Sequence, residues 1–235
     1  MYSISLLTAR IYFARLIPLI SLDINDKYEK MLGSLPYNRK EKALKYIKIE
    51  DRYRCAFSWK LLEKVMRDVF SLDLGKESFD IDAYGKPFLT NRNDIHFNLS
   101  HSGEIVCCIV DNYPVGIDVE NINSIDLNIA SNFFSKKECS DLFNLPNKDQ
   151  INYFYKLWTL KESYIKAEGK GLSIPLNSFS FKVGSNSISF NGENVDKWAF
   201  LLHNINTDSQ NYQLGICVQK GRLPDKIIEI PYMAL

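Results

Sequence analysis

The segment VGIDVE places Asp118 and Glu120 two residues apart in a β-branched run, so a strand there projects both carboxylates from one face. Two neighbouring hard oxygen donors suit Mg²⁺, which prefers a few carboxylates together with water and substrate phosphates. Without a cation, the same pair would repel and a pKa would rise. On the pair alone, two solvated acids at a strand end is the plainer reading, because D-x-E is short and frequent. In FYKLWTLKESYIKAEGKG, Trp158, Glu162 and Lys166 recur every four residues and share one helical face. An exposed Glu–Lys pair at that spacing contributes only about 0.2–0.5 kcal/mol. A bulky indole on the same stripe points instead to a partly desolvated place, where a metal or phosphate would explain the charges.

Cations to meet an anion come from LPYNRKEKALKYIKIEDRYR, where Arg39 and Lys42 stand three residues apart and Arg54 follows on the next helix. Glu41, Glu50 and Asp51 interrupt the run, so a solvated helix face is the competing reading. AYGKPF puts a tight turn at Gly85 and holds Lys86 extended ahead of Pro87, leaving backbone groups near Tyr84 able to contact a flat base. A plain hairpin turn explains the same residues equally well. In FNLSHSG, Ser100 and His101 sit in a polar turn between apolar strands and offer hydroxyl, imidazole and backbone N–H to an anion. A Ser/His hydrolase is disfavoured, since neighbouring side chains on an extended segment diverge and no G-x-S-x-G elbow is present.

These side chains need helices and strands to hold them. Residues 11–16 alternate as a strand, 26–32 and the stretch from Pro36 read as helices, and a long helix begins near Glu50. Cys55, Trp59, Leu62, Val65 and Met66 mark its buried face. Between 79 and 119, short apolar runs are punctuated by AYGKP, NRND, HSG and DNYP, the pattern of several strands joined by tight turns. Helical segments follow at 127–133, 136–143 and 151–167, the last ended by Gly169 and Gly171. Strands are expected at 179–183, 198–203, 212–218 and 227–230. Helices thus precede a sheet twice, which predicts an α+β fold of two halves, 1–113 and 114–235, meeting near 112–115. No residue-level repeat links them.

At 235 residues, 46% hydrophobic and 24% charged, the chain is neither disordered, collagenous nor a membrane bundle, and it can bury a substantial core. Lys+Arg 29 against Asp+Glu 28 leaves a net charge of +1, too weak a field to argue for a nucleic-acid partner. Any anion site must be local. Five cysteines without a C-x-x-C pair read as buried thiols in a reducing compartment, and three scattered histidines give no zinc pattern. The apolar N-terminus is broken by Arg10 and Arg15 and has no A-x-A site, so it reads as a core strand with a short preceding extension. A cytoplasmic protein with no membrane partner is expected.

FNLSHSG, PVGIDVE and FYKLWTLKESYIKAEGKGLSIPL, in this order, resemble the 4′-phosphopantetheinyl transferase superfamily, in its long, pseudo-dimeric Sfp type, over roughly residues 36–181. The resemblance implies transfer of the phosphopantetheine arm of coenzyme A, a co-substrate, to a serine of an apo peptidyl, acyl or aryl carrier domain, releasing 3′,5′-ADP. It implies Mg²⁺, with Mn²⁺ as the alternative ion, held by Asp118, Glu120 and Glu162. Lys166 would bind a phosphate oxygen and Glu162 would also be the base, directly or through water. By the same resemblance Arg39, Lys42, Arg54 and His101 would bind the 3′-phosphate. Tyr84, Gly85, Lys86 and Pro87 would flank the adenine, with Ser100 adding a hydrogen bond beside them. Arg39 stands where the family often has Lys, a change that keeps the charge and allows bidentate contact. Lys161 lies outside the four-residue stripe, which leaves its role open between the site and the structure.

The implied fold is two similar halves related by a pseudo-twofold, each with helices packed on a small, mainly antiparallel sheet, and the ligand in the cleft between them. A monomer is expected because both halves lie in one chain. The alternative is a non-catalytic coenzyme A-binding or carrier-docking module on the same fold, which would lack the metal ligands. A third reading, a nucleic-acid-binding protein using the basic cluster at 39–54, lacks any accompanying recognition motif.

Overall fold

A computed structural model describes residues 8–16 and 22–235, with the side chains of 22–27 excepted. In chain order the elements are β1 (Arg10–Arg15), α1 (Leu22–Gly33), α2 (Tyr37–Lys45), α3 (Ile49–Phe70), β2 (Phe79–Ile81), β3 (Pro87–Leu89), β4 (His96–Ser102) and β5 (Ile105–Asp111). There follow β6 (Gly116–Asn121), α4 (Ala130–Phe133), α5 (Lys136–Phe143), α6 (Asn147–Glu168), β7 (Ser180–Val183), β8 (Ile188–Asn191), β9 (Trp198–Asn206), β10 (Asn211–Gln219) and β11 (Ile227–Glu229). Most of the sequence expectations reappear. The extension expected ahead of β1 lies largely outside the described residues. The helix expected at 127–133 is split into a 3-10 turn, Leu127–Ile129, and the single turn α4. Strand β8 was not expected, because its run ISFN lies among Ser, Asn and Gly residues that read as loop.

The α+β expectation is met by four layers: α3, a sheet of order β11-β1-β5-β4, a sheet of order β6-β10-β9, and α6. Each half therefore sets one 22-residue helix on one sheet, and the sheets face one another. Alternation sorts the side chains. Tyr12, Ala14, Val106, Cys108 and Val110 turn toward α3, while Ile11, Phe13, Ile105, Cys107 and Ile109 meet Ile117, Val119, Leu214 and Ile216 of the second sheet. Strand β5 is buried on both faces, which explains the unbroken apolar run IVCCIV.

The second sheet meets α6 at close range because of two glycines. A Cβ on Gly116 would overlap the Ser163 carbonyl oxygen, and one on Gly215 would overlap the Thr159 carbonyl group. Only glycine lets the helix backbone rest on β6 and β10, and that contact sets Asp118 beneath Lys166. Gly215→Val is therefore expected to cost about 1–3 kcal/mol or more through overpacking, while Gly33→Ala, with open space around it, stays within about 0.5 kcal/mol. Paired denaturant melts check this; equal midpoints would refute it.

The succession of helices before sheets is incomplete. β1 precedes the helices, and β11 runs parallel to it with Ile11 opposite Ile227, so the end of the chain returns to the first sheet. Ile230 is buried there, and Tyr232 stacks on Phe57 with ring centroids 5.2 Å apart. α6 ends as expected at Gly169, whose φ of 74° is the left-handed cap that glycine adopts without strain. No helix among the described residues is long and apolar enough to cross a membrane.

Candidate active site

Strand β6 and helix α6 bring the expected charged groups together. Lys166 Nζ donates to Asp118 Oδ1 at 2.6 Å and to the Ile117 carbonyl at 3.2 Å. Ser100 Oγ donates to the same Asp118 oxygen at 3.0 Å, whereas the buried Asp118 Oδ2 has no partner among the described residues. Two residues along, Glu120 accepts a hydrogen bond from Ser102 Oγ at 3.1 Å. Burial opposes the charge on both members of the Asp118–Lys166 pair, but on the lysine Asp118 and Glu162 together oppose it, and the pKa rises. Burial, then Asp118, pushes Glu120 up to about 7. The same two causes raise Glu162, and Lys166 opposes them. Three carboxylates thus share one ammonium in a desolvated place. No group of three His, Cys, Asp or Glu side chains among the described residues is arranged to hold a metal ion as it stands.

Beside this cluster lies a cavity of about 210 Å³, walled by Arg39, Lys42, Tyr84, Gly85, Lys86, Pro87 and Lys166. Seven of the expected residues, from α2, the β2–β3 turn and α6, converge on it. Arg39 is only 9% exposed, its guanidinium lies 4.6 Å from the Trp59 ring centroid, and its Nε has no partner among the described residues. Burial lowers the pKa of Arg39, and burial together with Arg39 lowers that of Lys42. Neither has a carboxylate partner among the described residues. Such uncompensated cations are costly unless an anion arrives.

The Lys86 ammonium turns toward backbone. It donates to the Lys166 carbonyl at 2.5 Å and to the Val115 carbonyl at 3.2 Å, fastening the last turn of α6 and the approach to β6 to the β2–β3 turn. Burial brings its pKa down to about 8. Gly85, with φ of 85°, makes the turn that exposes Tyr84 at the cavity edge.

The remaining expected residues lie outside the cavity walls. His101 packs edge-on to Tyr46 on the opposite face of β4 from Ser100. Burial, then Arg54 and Lys166, pushes its pKa down to about 4. Arg54 donates to Asp51 at 2.5 Å and to the Gly103 carbonyl at 3.0 Å. Ser100 sits with Asp118 and Lys166, away from the turn expected to flank a base. Trp158 packs against Phe133 and Phe154 at the edge of the second core. Lys161, whose role the sequence left open, is fully buried against Glu138.

Two residues escaped the sequence reading, Asn98 and Ser102, which flank Ser100 at alternate positions of β4 and bond to β6. The signal was present in FNLSHS, where three polar side chains at two-residue spacing share one strand face. Gly169 and Gly171 also wall the cavity, beyond their role in ending α6.

A family model described as the 4′-phosphopantetheinyl transferase superfamily matches residues 114–217, and one described as 4′-phosphopantetheinyl transferase, N-terminal, matches residues 23–112. The chain is 36% identical over 213 residues to the 4′-phosphopantetheinyl transferase Sfp of Bacillus subtilis (strain 168), covering 89% of this chain and 93% of that protein. It is 31% identical over 211 residues to the 4′-phosphopantetheinyl transferase psf-1 of Bacillus pumilus, covering 90% of each. Over a shorter span of 149 residues it is 43% identical to the 4′-phosphopantetheinyl transferase gsp of Aneurinibacillus migulanus, 63% of this chain and 62% of that protein.

Proposed function

Because the chain belongs to the 4′-phosphopantetheinyl transferase superfamily and is a transferase of its long, two-half type, we propose that its cleft moves the phosphopantetheine arm of coenzyme A onto a serine hydroxyl of an apo carrier domain, peptidyl, acyl or aryl, leaving 3′,5′-ADP. One observation carries the assignment: Arg39, Lys42, Lys86 and Lys166 line a single cavity, and among the described residues Arg39 and Lys42 have no carboxylate to balance them. Coenzyme A supplies the missing charge through its pyrophosphate and 3′-phosphate. Arg39 and Lys42, with Arg54 and His101 on the neighbouring face, take the 3′-phosphate. Tyr84, Gly85 and Pro87 border the adenine, while the Lys86 side chain holds that border against α6. Ser100 acts on the carboxylate side.

The three carboxylates fit a hard divalent cation. Among the described residues nothing bonds to the buried Asp118 Oδ2, all three donors are oxygen, and burial raises the pKa of each, with Asp118 adding to the rise at Glu120 and Glu162. Mg²⁺ commonly takes one or two carboxylates and completes its shell with water and phosphate. Asp118, Glu120 and Glu162 would hold Mg²⁺, or Mn²⁺, and the ion would offset pyrophosphate charge as a Lewis acid. Lys166 binds a phosphate oxygen, where its fixed ammonium stabilises charge on the transferring group. Glu162, with its raised pKa, accepts the proton of the attacking serine, directly or through water.

We place the division of the halves between 113 and 114, in keeping with the limits of the two family models, with β11 crossing back onto β1. A monomer follows from having both halves in one chain. Five free thiols favour a reducing compartment such as the cytoplasm.

The test is discrimination at the 3′-phosphate. Calorimetry should show wild type binding coenzyme A about tenfold or more tightly than 3′-dephospho-coenzyme A, and Lys42→Ala should lose most of that ratio. An unchanged ratio in Lys42→Ala would remove α2 from the nucleotide site.

A further inference from the structure

Strands β4 and β6 are outer strands of different sheets; β4 pairs with β5 and β6 with β10, yet the two run side by side. Side chains make the rungs between them. Asn98 Oδ1 accepts the Ile117 N–H at 2.9 Å, Ser100 Oγ accepts the Val119 N–H at 3.2 Å, and Ser102 Oγ accepts the Asn121 N–H at 3.0 Å. The offset is 19 residues each time, so the strands run parallel in fixed register. Alternate N–H groups of an outer strand face away from its paired neighbour, and here each finds a side-chain oxygen. The two hydroxyls also donate, Ser100 to Asp118 Oδ1 at 3.0 Å and Ser102 to Glu120 Oε2 at 3.1 Å.

This arrangement has a consequence for the cleft. A direct backbone ladder would draw the strands to about 4.8 Å and merge the sheets. Side-chain rungs stand in place of that ladder, the sheets stay separate, and the carboxylates lie beside the rungs. They also fix each carboxylate through the residue that holds the neighbouring N–H, so strand register and carboxylate orientation are set together. The flanking β4 residues Phe97 and Leu99 turn into the first core, and the β10 partner of Glu120, Gln213, donates to backbone carbonyls.

We propose that Ser102 is a positioning residue for the transfer site, aiming Glu120 while it holds β6 to β4, and that Asn98 only fastens the two strands. The proposal rests on the reading of the cleft given above. Ser102→Ala removes one hydroxyl with no change in shape, and Ser102→Thr restores it with a β-branched residue suited to a strand. In Ser102→Ala, kcat should fall about tenfold or more, with the KM for coenzyme A within about twofold, because Arg39, Lys42 and Lys86 are untouched. Titration calorimetry with MgCl₂ alone should show about tenfold weaker binding, and Ser102→Thr should recover both. Asn98→Ala, whose rung carries no carboxylate, should lower the melting temperature with Mg²⁺ affinity within about twofold.

Wild-type kcat and Mg²⁺ affinity in Ser102→Ala would overturn the inference, as would equal losses in the Ala and Thr variants. So would matching losses of melting temperature in Asn98→Ala and Ser102→Ala with no change in Mg²⁺ affinity, since the rungs would then be fasteners only. If wild type itself transfers nothing, the reading of the cleft fails; if it transfers normally and Ser102→Ala does too, only this inference fails.

Discussion

Asp118→Asn should transfer phosphopantetheine roughly 10²–10³-fold more slowly than wild type while binding coenzyme A with affinity within about tenfold. The substitution keeps the shape of the side chain and one accepting oxygen, so Ser100 and Lys166 retain a neutral partner at Oδ1. It removes the charge that the buried Oδ2 offers to a cation and that holds Lys166 in place. Both act where charge develops on the transferring phosphoryl group, in a site largely closed to water, so the loss falls on the rate. Coenzyme A is gripped mainly elsewhere, by the cations around the 210 Å³ cavity. Single-turnover transfer to an apo carrier and coenzyme A calorimetry on the same preparation separate the two effects. A rate within tenfold of wild type would remove Asp118 from the reaction.

The largest stability effect should come from Lys161→Met or Glu138→Gln, at about 3–5 kcal/mol each, which lowers the melting temperature by roughly 10 °C in a chain of this size. Lys161 Nζ lies 2.9 Å from Glu138 Oε2 and donates to the Leu176 and Phe179 carbonyls at 2.7 and 2.8 Å, with the Phe179 ring centroid 4.4 Å away. Glu138 accepts the Phe181 and Ser135 N–H groups, both at 2.8 Å, closing the capping box of α5. Both side chains are 0% exposed, so removing either leaves a buried charge and orphaned backbone groups. The double variant should cost clearly less than the sum of the singles, since it strands no unpaired charge. Additive costs, or melting points within 2–3 °C of wild type, would contradict a coupled pair at this position. Because the pair lies away from the cavity, turnover per folded molecule should stay near wild type.

Most of the fold was legible because its determinants are local. The apolar period of α3, the four-residue stripe of α6, the strand-forming runs of β9 and β10 and the left-handed stop at Gly169 are written within a few residues of where they act. The return of β11 to β1 was not, because a three-residue strand carries no mark of its partner, which is chosen by a contact spanning nearly the whole chain. In the site, the residues meeting around the cavity could be named from their motifs, but their orientations could not. Lys86 turns its ammonium to the carbonyls of Val115 and Lys166, and Ser100 faces Asp118, because each answers a group on the other half. Lys161 is one residue from Glu162 in sequence and about 100° away around the helix, enough to send one into the core and leave the other beside Lys166.

The most direct test is intact-mass analysis of an apo carrier domain after incubation with the protein, coenzyme A and Mg²⁺, with an EDTA control and with peptidyl, acyl and aryl carriers in parallel. A gain of one phosphopantetheine is expected on at least one carrier, abolished by EDTA and restored by added Mg²⁺. Carriers of all three kinds left unmodified by folded, coenzyme A-binding protein would contradict it, and transfer that persists in EDTA would contradict the role given to Asp118, Glu120 and Glu162.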